Sequence, residues 1–262
     1  MMALMAAALL SGARPTDRVL IWADEFEGGA LDTTKWSAVV DCWGGGNNER
    51  QCYAAPNVSI REGQLVLTAR HEDAATPTRS YTSGKVHTRG LASFRYGRIE
   101  IRARMPQGQG LWPAIWMLPE HDNYGPHPQS GEIEIAEAVN LGVDCDRCQN
   151  RLHGARHHGP VPGQNREESG SVVTESSGSF HVLALDWSPE RMIWLVDDVP
   201  YFRAAGGPPW DQRFHLILNL AVGGVWAETS GALGVDDHRF PAELLVDYVR
   251  VYEVPAGSQS AF

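Results

Sequence analysis

A chain of 262 residues with 43% hydrophobic and 21% charged residues belongs to the globular class, and its length admits one large domain or two small ones. Its 32 acidic residues outnumber its 22 basic ones, giving a formal charge of −10, and that balance argues against nucleic acid or an anionic membrane as partner. A phosphate footprint needs clustered Lys and Arg, which this chain lacks.

In chain order, the run from Met2 to Leu10 is apolar but too short to span a bilayer, and Ser11-Gly12-Ala13 offers small residues where a signal peptidase would cut. No basic stretch precedes it. Residues 1–17 are therefore expected to be the remnant of an export signal or a disordered tail, which makes the protein secreted or periplasmic. Residues 18–255 read as one domain and residues 256–262 as a second tail, since no repeat or low-complexity linker divides them. Four Cys fall as two close pairs, Cys42 with Cys52 and Cys145 with Cys148. In an oxidising compartment these read as two short-loop disulfides, whereas a zinc site would need all four, or His partners, converging from separate loops.

Helical periodicity is almost absent. Short alternating or β-branched runs take its place at Gln64–Ala69, Tyr96–Met105, Ile115–Leu118, Glu132–Val139, His181–Trp187, Met192–Val196, His215–Val222 and Leu244–Tyr252. Turn residues such as Glu62-Gly63, Gln107-Gly108, Ser188-Pro189 and Asp197-Asp198 separate them. Many short strands at this spacing predict an all-β sandwich or jelly roll. The stretch from Asn140 to Glu168, rich in Gly, His, Arg and Pro, is expected to be a long irregular loop rimming a cleft.

The chemistry concentrates in Glu132-Ile133-Glu134-Ile135-Ala136-Glu137. Strand side chains alternate, so Glu132 and Glu134 share a face while Ile133 and Ile135 fill the other. One extra residue at Ala136, a β-bulge, returns Glu137 to the carboxylate face. Three acids pointing into one crevice are costly, and a fold keeps them where the field is useful. Two carboxylates across a shared face suit glycoside hydrolysis, in which one acid protonates the leaving oxygen and the other attacks or steadies the anomeric carbon. Like charges this close cannot all stay ionised, so the row is expected to share a proton and to raise the pKa of one member. Nine Trp fit a neutral sugar polymer, because indole faces stack on apolar ring faces.

Further motifs extend this reading. They include Asp24-Glu25-Phe26, Asn47-Asn48-Glu49, Tyr96-Gly97-Arg98-Ile99-Glu100, Trp112-Pro113-Ala114-Ile115-Trp116-Met117, Pro209-Trp210-Asp211-Gln212 and Val246-Asp247-Tyr248-Val249-Arg250-Val251-Tyr252. With the acid row between them, the chain resembles glycoside hydrolase family 16, in its laminarinase-like branch of endo-β-1,3-glucanases. The resemblance implies a curved β-jelly roll with a glycan cleft on its concave sheet and a retaining mechanism. It implies Glu132 as nucleophile, Glu137 as general acid/base, and Glu134 as the acid that shares their proton. It further implies Trp112 and Trp116 stacking on donor-side glucosyl units, with Asn48 and His157 near the sugar hydroxyls and the acids. No cofactor is implied for catalysis, but a structural calcium is, with Asp247, Glu27 and the Gly63 carbonyl as ligands. The partner implied is a β-glucan, acted on by a monomer. Two positions depart from the family pattern. Glu134 stands where Asp is usual, moving a carboxylate by about one carbon–carbon bond in a site that tolerates roughly half an ångström, and Ala155-Arg156 stands where a hydroxyl residue and an apolar one precede the His. These departures predict weak or redirected activity. A glucan-recognition protein on the same fold, and a hydrolase of mixed-linkage glucan or another polysaccharide, are the alternative readings.

Overall fold

The computed structural model describes residues 18–76, 79–145 and 148–253, with the side chains of residues 73–76 outside the description. The expected leader, residues 1–17, and the tail, residues 256–262, lie outside the described residues. Within them the chain forms two sheets packed face to face, the sandwich that the strand spacing predicts. One sheet runs, edge to edge, through Val199–Ala205, Arg191–Val196, His181–Trp187, Gly97–Arg104, Ala242–Glu253, Gln64–Thr76, Arg79–Ser83 and Gln51–Tyr53. Val19–Asp24 and Val58–Arg61 add to it on Ala242–Glu253 and Gln64–Thr76. The other sheet runs through Arg166–Val173, Arg151–His158, Glu132–Glu137, Leu111–Pro119, Phe214–Val222, Lys85–His87 and Ser37–Ala38.

The core lies between them because each strand turns its β-branched and aliphatic residues to the same side. Leu65, Leu67, Ile99, Ile101, Val249 and Val251 of the first sheet meet Ile115, Met117, Ile133, Ile135, Leu216 and Leu218 of the second, all nearly or fully excluded from water. Burying each such side chain stabilises the fold by about 1.5–3 kcal/mol, enough to fix the register of the strands that carry the acids on their other face.

All eight expected strands are present, several with ends extended; Ile115–Leu118 grows to Leu111–Pro119. The stretch from Asn140 to Glu168 is a correction. Instead of one long loop it contains the strand Arg151–His158, hydrogen-bonded to Glu132–Glu137 on one side and to Arg166–Val173 on the other. Its composition misleads because Gly154 and Arg156 are chosen by partners on other elements rather than by strand propensity, although Leu152 reaches the core. Gly154 leaves no room for a side chain, a Cβ there falling 2.5 Å from Trp194 Cδ1. Arg156 bonds Glu168 at 2.7 Å and stacks 3.9 Å from the Trp210 ring centroid. Both cysteine pairs, Cys42–Cys52 and Cys145–Cys148, are disulfide-bonded.

Candidate active site

The acid row enters from Gly131, whose φ of +82° suits glycine and where a Cβ would lie 3.0 Å from Trp210 Nε1. Register then places Glu134 opposite Trp116, but Ala136 opposite Ile115 and Glu137 opposite Ala114, so one extra residue intervenes. This is the expected bulge. It returns Glu137 to the face of Glu132 and Glu134 while Ile133, Ile135 and Ala136 stay buried. Three polar groups hold the strand's backbone in place: Trp194 Nε1 donates to the Glu134 carbonyl at 2.7 Å, Trp210 Nε1 to that of Glu132 at 3.4 Å, and the Tyr201 hydroxyl to that of Ile135 at 3.5 Å.

The three carboxyls differ in their surroundings. Burial opposes the charge on Glu132, but a hydrogen bond from His127, the nearby His157 and a bond from Glu134 hold its pKa below the ordinary carboxylate value. His127 Nε2 lies 2.9 Å from Glu132 Oε2, and His157 Nε2 lies 4.0 Å from Oε1. Glu134 is the reverse case. Burial, the charges of Glu137 and Glu132, and its donation to Glu132 push its pKa well up, and its Oε2 has no partner. For Glu137, burial dominates and the bond from Trp112 opposes it, leaving the pKa raised to about 8. Trp112 Nε1 donates to Glu137 Oε2 at 2.9 Å. At neutral pH the row therefore holds an ionised Glu132 at one end and a protonated Glu137 at the other, the division of labour that acid-assisted displacement requires.

Ligand atoms of Glu132, Glu134 and His157 lie within 4.8 Å of one another, a spacing that a cation can bridge. Two of the three already share a hydrogen bond, so the group is arranged to hold a proton.

The neighbouring strand supplies the rest of the floor. Trp112 packs edge-on against Trp226, with ring centroids 5.3 Å apart, and Trp116 Nε1 donates to Asn219 Oδ1 at 2.7 Å, so both indoles are held from one edge. The expected site residues thus fall into two groups. Glu132, Glu134, Glu137, Trp112, Trp116 and His157 come together. Asn48 is exposed at φ 60° on a loop whose Asn47 carbonyl accepts from Val225 N at 2.9 Å, which places it one residue from the rim behind Trp226. Asp247, Glu27 and Gly63 lie elsewhere. Asp247 Oδ2 accepts from Arg102 at 2.6 Å and Glu27 is exposed. A guanidinium already on the donor carboxylate means that a cation held there would share Asp247 with Arg102.

Three side chains at the site escaped the reading of the sequence: His127, His153 and Trp226. His127 sits in Gly125-Pro126-His127-Pro128, a loop five residues ahead of Glu132, where nothing in its spacing points to the strand. His153 is found only once Arg151–His158 is seen to be a strand, since it then pairs with Glu137 and lies 5.1 Å from the Trp226 ring.

Comparison with known proteins agrees with this geometry. The family model described as glycosyl hydrolases family 16 matches residues 46–239. A beta-glucanase of Rhodothermus marinus is 44% identical over 253 residues, covering 89% of this chain and 84% of the relative. A glucan endo-1,3-beta-glucosidase of Cryptopygus antarcticus is 39% identical, covering 79% and 81% respectively. The crystal structure of the laminarinase from Rhodothermus marinus superposes with a TM-score of 0.81 at 41% identity, covering 91% of this chain and 98% of that one. With its jelly-roll sandwich, its bulged acid row and a match over most of its length, the chain belongs to glycosyl hydrolase family 16.

Proposed function

We infer that the protein is an endo-acting, retaining glycosidase that cleaves β-1,3-glucan of the laminarin type. The observation that carries this reading is the bulged strand that sets Glu132 and Glu137 on one face beside Trp112, in surroundings that hold the Glu132 pKa down and the Glu137 pKa up. In the first step the Glu132 carboxylate attacks the anomeric carbon while the Glu137 proton passes to the departing glycosidic oxygen, whose bond to that carbon breaks. The product is a glycosyl ester on Glu132 and a free sugar hydroxyl. In the second step a water gives its proton to the Glu137 carboxylate, attacks the same carbon and releases Glu132, so configuration is retained. Glu134 keeps its own proton and donates a hydrogen bond with it to Glu132, steadying the charge that returns as the ester breaks.

The relatives named above as glucanases support the choice of polymer. Incubation with laminarin, lichenan, agarose and carrageenan tests it: reducing ends are expected first and fastest from laminarin, and a faster release from agarose or carrageenan would replace the substrate while leaving the chemistry. Export belongs to this reading, supported by the two disulfides, which an oxidising compartment keeps closed. A monomer belongs to the same reading, and sedimentation of the purified protein tests it. A structural calcium at Asp247, Glu27 and the Gly63 carbonyl would share Asp247 with Arg102; a melting temperature lowered by a chelator would establish the ion, and an unchanged one would rule it out.

A further inference from the structure

The site-bearing sheet continues past the two indoles. Crossing the site-bearing sheet from the acid row, the strands come in the order Glu132–Glu137, Leu111–Pro119, Phe214–Val222, Lys85–His87. At about 4.8 Å per strand the third step lies some 14 Å from the acids. Each step presents a side chain to the same side. Trp116 bonds Asn219, and Lys85 Nζ lies 5.3 Å from the ring centroids of both Trp116 and Tyr53. Tyr53 is bridged through its backbone to Asp41, where the next segment begins.

That segment, from Asp41 to Arg50, is fastened at several points. The Cys42–Cys52 disulfide closes its base, Glu49 bridges Gly223, Arg50 N donates to the Val222 carbonyl at 2.7 Å, and Arg79 donates to the Glu49 carbonyl. It also touches the cleft wall, since a Cβ at Gly224 would meet both Asn47 O at 3.2 Å and Trp112 Cζ3 at 3.3 Å. On this anchored segment Trp43 is 69% exposed. The outer edge of its ring lies beside Gly46, where a Cβ would be 3.4 Å from Trp43 Cη2 and 3.5 Å from Cζ3, and most of the side chain is open to water. Val40 and Val225, at the two flanks of the segment, are 74% and 55% exposed. A large indole held open to solvent on a braced loop costs hydration that a folded chain ordinarily avoids, and such patches mark binding surfaces.

We propose that Trp43 is a distal sugar-stacking platform, taking a glucosyl unit of the same chain beyond Trp112 and Trp116 and making the enzyme selective for long glucans. Its exposed ring offers what a pyranose needs, an apolar plane open to water, and Asn47 and Asn48 stand exposed on the same segment. The loop's fastenings mean that little ordering is required when the sugar arrives.

The proposal rests on the glucanase reading, and the test separates the two. Wild type, Trp43→Ala and Trp43→Tyr are compared on laminarin and on laminaritriose, which is too short to reach from the acids to the loop. Trp43→Ala is expected to lower the ratio of kcat/KM on laminarin to that on the trisaccharide by about tenfold, through KM, and Trp43→Tyr to restore most of it. The same variants in a Glu132→Gln background, titrated with laminarin by calorimetry, should show the same loss in affinity without turnover. A ratio unchanged in Trp43→Ala, or a loss that Trp43→Tyr fails to restore, overturns the platform. Wild type that neither cleaves nor binds laminarin overturns the glucanase reading, and this proposal with it.

Discussion

Acids gather in both sheets of this protein, around a buried Arg98 in one and in the row Glu132–Glu137 in the other, and they are compensated in opposite ways. In the first sheet Arg98 is 1% exposed and reaches Glu100 at 2.9 Å, Asp186 at 3.3 Å and Asp198 at 2.5 Å. Burial opposes its charge, but Asp186, Glu100 and Asp198 keep the guanidinium fully ionised. In the second sheet Glu132, Glu134 and Glu137 have no Arg or Lys in contact among the described residues, and only His127 and His157 approach one end. A fixed cation settles the first cluster; protons settle the second. The lesson is that a buried acid becomes chemically useful where its compensation can leave, and the difference can be attacked from both ends.

The largest effect should come from the nucleophile. Glu132→Gln keeps the shape and removes the attacking charge, and kcat on laminarin is expected to fall by about 10⁴-fold or more while the melting temperature stays within a few degrees. Activity within about tenfold of wild type would remove Glu132 from the mechanism. Arg98→Met should do the reverse. It leaves Glu100 and Asp186 half-buried without their cation, at a cost of about 3 kcal/mol or more. For a chain of this size that corresponds to a melting temperature lower by roughly 10 °C, with kcat of the folded fraction near wild type. A variant that lost activity and kept its melting point would show the two clusters to be coupled.

That contrast also explains what could be read from the chain alone. Alternation and a one-residue bulge placed Glu137 with the other acids because both follow from the period-two geometry of any strand, and the register of Glu134, Ala136 and Glu137 agrees. The strand Arg151–His158 was hidden because Gly154, Arg156 and His157 answer to Trp194, Glu168 and the acid row, which lie far off in sequence. His127 was hidden for the same reason: its partner is chosen by the path of a loop, which no local periodicity records. Arg98 stood inside a quoted motif, yet nothing in Tyr96-Gly97-Arg98-Ile99-Glu100 shows that Asp186 from another strand and Asp198 from a turn converge on it.

A smaller effect concerns pH. Burial raises the Glu137 carboxyl to about 8, against the bond from Trp112. As the acid of the first step it works protonated, so kcat/KM should fall as pH rises through about 8. Trp112→Phe removes the hydrogen bond that favours the charged form, and the basic limb should move up; a limb that moved down would mean that water entering the gap matters more than the lost bond. Stability has its own sign. Between the ordinary carboxylate range and about 8 the folded protein holds a proton that the unfolded chain has released, so this group makes stability decline as pH rises across that window. Glu137→Gln should flatten that decline in melting temperature against pH.

The smallest effect, and the one that most sharpens the contrast, is Glu134→Asp. The sequence alone suggests that a Glu in place of Asp is a misplaced carboxylate, so that shortening it should raise kcat. The structure argues otherwise. Glu134 already reaches Glu132 to donate a hydrogen bond, its backbone carbonyl is fixed by Trp194 at 2.7 Å, and its neighbour across the sheet is the small Ala155. With the backbone pinned, the shorter side chain cannot follow, and its proton is withdrawn from Glu132 by about one bond length. The expected result is a kcat lower by several-fold with KM little changed, the mark of an interaction that counts in the transition state more than in substrate binding. Water entering the vacated space should stabilise the charged form of Glu137 and bring the basic limb below that of wild type. A Glu134→Asp protein that is faster, with its basic limb in place, would mean that Glu134 crowds the nucleophile, and that this row is compensated less well than the Arg98 cluster across the core.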